Sequence, residues 1–108
     1  MKFEMESDLV ARVTERLKDI LDEETNRKLG ELNTITDVSE LQPGTIRVRF
    51  RPLSAYSPLA VDVGRSIRDA CTSVEGVAAV RVECVGHMMD DLVNRIVNKD
   101  EIKPKAVG

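Results

Sequence analysis

Apolar residues recur at helical spacing from the start of the chain. Leu9, Val13, Leu17, Ile20 and Leu21 follow Ser7, a good N-cap, and Asp8, a favourable charge at a helix start. The spacing predicts a first helix over about 8–28, with Asp22-Glu23-Glu24 on a solvated face and Gly30 as its stop. Residues 31–38 are β-branched at several positions but alternate poorly, so they read as a short or irregular strand. After a Gln42-Pro43-Gly44 turn, Thr45 to Arg51 alternates without a fault: Ile46, Val48 and Phe50 on one face, Arg47, Arg49 and Arg51 on the other. These two strands are expected to form a hairpin.

Ser54-Ala55-Tyr56-Ser57-Pro58-Leu59-Ala60 then reads as a strand-to-helix turn, with Ser57 as N-cap and Pro58 as first helical residue. Leu59, Val63, Ile67, Ala70, Cys71 and Val74 form the apolar stripe of a second helix over about 58–74. Glu75-Gly76 closes it, and residues 77–85 read as a third strand with Val80, Val82 and Cys84 inward. A last helix over about 88–98 places Met89, Leu92, Val93, Ile96 and Val97 on one face, leaving 99–108 as a flexible tail. The expected fold is α+β, a single compact domain over 1–108 with its core at about 8–98. The order is α-β-β-α-β-α, with a three-stranded mixed sheet packed against helices.

A strand–helix–strand crossover makes its two strands parallel. The ends of the second and third strands then share an edge with the start of the intervening helix. Ser54, Tyr56, Ser57 and Pro58 should therefore meet Cys84, Gly86 and His87 on one rim, the usual place for ligands in such units.

Composition narrows the function classes. At 108 residues the chain fits one domain, and 42% hydrophobic with 32% charged residues suits a folded one. No apolar run approaches the roughly 20 residues that cross a membrane, and the start carries no signal-peptide pattern, so the expected location is the cytoplasm. A net charge of −3 and only three aromatics argue against a nucleic-acid partner. Cys71 and Cys84 are too few for a disulfide framework or a four-cysteine metal site.

Cys84-Val85-Gly86-His87 is a C-x2-H spacing, and both side chains are competent ligands for zinc or iron. Crossover geometry places Cys84 at this rim, but alternation along its strand turns it inward, so a buried structural cysteine is the competing reading. His87, following a glycine at a strand end, reads first as an ordinary surface histidine, and Cys71 reads as core. Ser57 could act as a nucleophile with His87 as its base, or simply cap the helix. The arginine row is either matched by Glu83 and other acids or forms a basic strip.

Five stretches together resemble the iron–sulfur cluster assembly family that includes SufT-like, PaaD-like and eukaryotic cytosolic iron–sulfur targeting proteins. They are Leu21-Asp22-Glu23-Glu24, Glu31-Leu32-Asn33-Thr34-Ile35, Thr45 to Phe50, Ser54-Ala55-Tyr56-Ser57-Pro58 and Gly76-Val77-Ala78-Ala79-Val80. The resemblance covers about residues 8–98. Its departures are specific: Ser57 stands where the family's turn has cysteine, Glu23 replaces the proline of its acidic motif, and Asn33 replaces a strand glycine. Serine is a poor soft-metal ligand.

The resemblance implies a non-enzymatic accessory or scaffold protein of iron–sulfur cluster assembly or delivery, meeting protein partners at the rim of residues 54–58 and 84–87. Asp22 would lie nearby. A transient iron–sulfur cluster or iron held by Cys84 and His87 would mean that the thiol has moved from position 57. Two alternatives stand beside this expectation. One is a small enzyme or anion-binding module built on Ser57 at the helix N-terminus with His87; the other is a structural module that forms a homodimer through its first strand.

Overall fold

A computed structural model describes the backbone of residues 7–106 and the side chains of residues 7–99. Ser7 caps the first helix as its sequence predicts, its Oγ accepting the Val10 N–H at 3.0 Å. That helix, α1, is Asp8–Lys18, ten residues shorter than the spacing predicted. The chain instead makes a small antiparallel hairpin of β1 (Leu21–Asp22) and β2 (Arg27–Lys28), then a single helical turn, α2 (Leu29–Leu32).

Asp22 explains the break. Its carboxylate accepts both the N–H and the hydroxyl of Thr25 at 3.0 Å, and its carbonyl accepts the Asn26 N–H at 2.7 Å. Asx turns of this kind compete with helix, and Asn26 completes the reversal at φ 61°, a left-handed conformation that asparagine tolerates. Gly30 is therefore not the stop of a long helix. It lies inside α2, where a Cβ would come within 2.9 Å of the Lys18 Cβ, so its small size lets α2 fold back against the end of α1.

The main sheet has the order β3-β4-β5, with β3 (Ile35–Gln42) antiparallel to β4 (Thr45–Phe50) and β4 parallel to β5 (Ala79–Cys84). The poor alternation of the first strand has a physical origin: its pairing with β4 shifts register between Ile35 and Asp37 and again between Glu40 and Gln42. Pro43-Gly44 closes the hairpin with Gly44 at φ 84°. The Gly44 carbonyl accepts the Ala78 and Ala79 N–H groups at 2.7 and 3.2 Å, tying the hairpin to the start of β5.

Helix α3 (Ala60–Thr72) makes the crossover between β4 and β5. It starts later than predicted, with Leu59 in the N-cap position and no side chain capping it, so Ser57 is not the helix cap. Helix α4 (Asp90–Ala106) follows β5 and continues past the expected end at 98. The fold is thus an α+β domain with a three-stranded mixed sheet and a second, two-stranded one. The elements absent from the expected order are β1 and β2, within the predicted first helix, and α2, just past it where the first strand was expected to begin.

Ile46, Val48 and Phe50 of β4 and Val80, Val82 and Cys84 of β5 are buried against α1, α3 and α4. Leu17, Ile67, Cys71 and Val97 close this core from the helices. Gly64 sets the α3–α4 approach, because a Cβ there would lie 2.7 Å from Val97 Cγ2. On the other sheet face Arg49 pairs with Glu83 at 2.9 Å and Arg47 with Asp37 at 3.5 Å, so part of the arginine row is charge-matched.

Candidate functional site

The ends of β4 and β5 bring residues 51–59 and 85–89 together, as the crossover geometry predicted. Phe50 and Cys84 are the last paired residues, and the Val85 N–H donates to the Phe50 carbonyl at 2.9 Å. Gly86 turns the chain beside the Arg51 guanidinium at φ 84°, a backbone conformation that residues with a side chain rarely adopt. Across the gap the Met88 N–H donates to the Ala55 carbonyl at 2.9 Å. Ser54 shapes the facing loop: its Oγ accepts the Tyr56 N–H at 3.1 Å and its carbonyl the Ser57 N–H at 3.2 Å. Pro58 follows on the surface, one residue before the helix cap position.

His87 fastens the two loops. The Met89 N–H donates to Nδ1 at 3.0 Å, so that nitrogen is an acceptor and Nε2 carries the proton it donates to the Ser57 carbonyl, at 2.9 Å. Both ring nitrogens are therefore engaged by backbone. His87 meets the carbonyl of Ser57 and not its hydroxyl, so the serine–histidine pair of the enzyme reading is not formed.

The Ser57 hydroxyl, 8% exposed, donates instead to Glu24 Oε2 at 3.1 Å. Glu24 is a site residue the sequence reading missed. Its signal was present in the acidic stretch aligned with the family motif, but the predicted long helix made that stretch a solvated face. The Asp22 turn is what delivers Glu24 to a partner 33 residues away, while the Asp22 carboxylate itself is buried and occupied by Thr25.

Cys84 lies on the core face, 1% exposed, with its backbone N–H and carbonyl both held by the Asn94 amide. Burial, with the negative charge of Asp90, pushes its thiol up to about 11, and burial pushes Cys71 to about 12. No group of three or more His, Cys, Asp or Glu with metal-site geometry occurs among the described residues. As folded, Cys84 is turned into the core and both His87 nitrogens are bonded to backbone, so this pair offers no open donor set on the rim.

What the rim does present is apolar surface. Tyr56 is 73% exposed and Met88 64%, and Leu53, Met89 and Leu92 stand out beside them. Met88 joins the Tyr56 loop through its bond to Ala55, and Leu92 lies one helical turn beyond Met88 and Met89.

Among the described residues no helix is long and apolar enough to cross a membrane. The fold resembles the crystal structure of a domain of unknown function from Bacillus anthracis, with a TM-score of 0.67 and 16% identity over 86% of this chain and 91% of that one. It also resembles the solution structure of a Mycobacterium tuberculosis protein described as associated with Fe-S complex assembly and repair. There the TM-score is 0.56 and the identity 20%, over all of this chain and 94% of that one. In sequence, an uncharacterized protein of Methanocaldococcus jannaschii is 25% identical over 89 residues, 82% of this chain and 94% of its own length. The family model for iron-sulfur cluster assembly proteins matches residues 10–84, a span that takes in Asp22, Glu24, the Ser57 turn and Cys84. The chain belongs to the iron-sulfur cluster assembly protein family.

Proposed function

We propose that this protein is a non-enzymatic accessory of iron–sulfur cluster assembly that acts by docking other assembly proteins on the rim of residues 53–57 and 86–89. One observation carries the proposal: the donor atoms of the rim face inward or are already bonded, while its apolar side chains face out. Cys84 is buried, both His87 nitrogens hold backbone, and Ser57 bonds Glu24. Tyr56 and Met88, by contrast, are largely exposed, and large exposed apolar patches mark interaction sites. Ser54, Ser57, Pro58 and Asp22 then shape the docking surface, with Ser57–Glu24 locking the loop. The cluster, in this reading, is cargo of the partner. The cytoplasm suits it, since two unpaired thiols persist in a reducing compartment.

Purified cluster-assembly proteins of the same host, titrated against this protein by calorimetry, test the proposal. Binding by the parent chain that Tyr56→Asp and Met88→Asp each weaken at least about tenfold is expected, in line with the loss of a central interface contact. Binding that both substitutions leave unchanged would overturn the rim as the docking surface.

A further inference from the structure

The bonds at His87 admit one protonation state of its ring. Nδ1 accepts the Met89 N–H at 3.0 Å while the Nε2 proton reaches the Ser57 carbonyl at 2.9 Å, so the imidazole is neutral. Met89 is also where α4 takes hold, since its carbonyl accepts the Val93 N–H at 3.0 Å. A second proton goes to Nδ1. There it meets the Met89 N–H, donor against donor, and sets a positive charge at the positive end of a helix.

The charged groups around the ring divide. Arg51, beside Gly86, opposes the added charge; Glu24, bonded to Ser57, and Asp90 and Asp91 in the first turn of α4 favour it. However that charge is balanced, the proton removes the lone pair that holds Met89. Resting on the docking reading above, we infer that His87 is an acid-sensitive latch on the rim. Neutral, it ties the start of α4 to the Ser57 loop. Protonated, it keeps the Ser57 carbonyl and releases the Met89 N–H, so Met88 and Met89 leave the arrangement a partner meets. The sign follows from which form is paired: the bond is present while the ring is neutral and lost as pH falls. His87 is the chain's one histidine, and the thiols of Cys84 and Cys71 are pushed up to about 11 and 12. Between about pH 5.5 and 8 a change at the rim therefore reports this ring.

NMR of isotope-labelled protein, titrated across that range with no partner present, tests the latch. At about pH 8 the ring nitrogens should show the Nε2–H tautomer. As the ring protonates, the Met88 and Met89 methyls, identified by Met→Leu substitution, should shift with the ring's own midpoint. Protection of the Met89 amide from hydrogen exchange should fall about fivefold, the worth of one hydrogen bond. His87→Gln keeps a donor for Ser57 and an acceptor for Met89 without a titrating proton, and should abolish the response. The Nδ1–H tautomer at the alkaline end, methyls and protection that ignore the ring's titration, or an unchanged response in His87→Gln overturns the inference. None of these outcomes decides whether assembly proteins dock at the rim, which the titration above tests separately. Docking that occurs but is equally tight at both ends of the pH range overturns the latch and leaves the docking surface standing.

Discussion

The two ring nitrogens of His87 hold the Ser57 carbonyl and the Met89 N–H, and this is what joins the loops after β4 and β5. His87→Ala leaves both backbone groups without that partner and is expected to destabilise the fold by about 1–3 kcal/mol, measured by urea denaturation. The C-x2-H spacing was readable in the sequence, but the hydrogen bonds that engage its histidine were not, because they run to backbone and leave no residue-type signature. Ser57 was misread for a related reason. Its hydroxyl bonds a carboxylate 33 residues away, and only the fold reveals that pairing. Glu83 carries a pH dependence of its own. The Arg49 hydrogen bond, ahead of smaller help from Arg81, holds its carboxyl below the ordinary 4.5. The stability it contributes is present above that value and lost as pH falls through the lowered one. Glu83→Gln should therefore flatten part of the acid limb of a stability–pH curve below about 4.5, read from chemical denaturation at a series of pH values.

At the scale of elements, the strands with regular alternation were legible and the irregular pieces were not. Ile46, Val48 and Phe50 against Arg47 and Arg49 defined β4 unambiguously, and the parallel β4–β5 pair followed from the crossover. The first helix was overextended because Ile20 and Leu21 continue its apolar spacing, while the Asp22-to-Asn26 turn that ends it depends on side-chain hydrogen bonds. A second device was invisible for the same reason. The open edge of β5 is covered by Asn94 and Asn98 of α4, one turn apart. Their amides bond the N–H and carbonyl of Cys84 and of Val82, as a neighbouring strand would. Asn94→Ala uncovers both Cys84 groups. It should cost about 1–3 kcal/mol and speed hydrogen exchange at the Cys84 amide, where a surface substitution on the same helix would do neither.

For the molecule as a whole, the family and the rim were both within reach of the sequence, and the allocation of roles within the rim was not. Spacing put Cys84 and His87 at the right place. Packing then turned the thiol into the core and left Tyr56, Met88 and Met89 as the outward chemistry. The central claim is that this family member works through that surface, without holding a cluster on its own side chains. Anaerobic reconstitution with iron and sulfide, followed by visible absorption and metal counting, tests it most directly. The account predicts the same low iron content for the parent chain and for Cys71→Ala, Cys84→Ala and His87→Ala, with no cluster absorption in any of them. A stoichiometric cluster in the parent chain that Cys84→Ala or His87→Ala abolishes would contradict it.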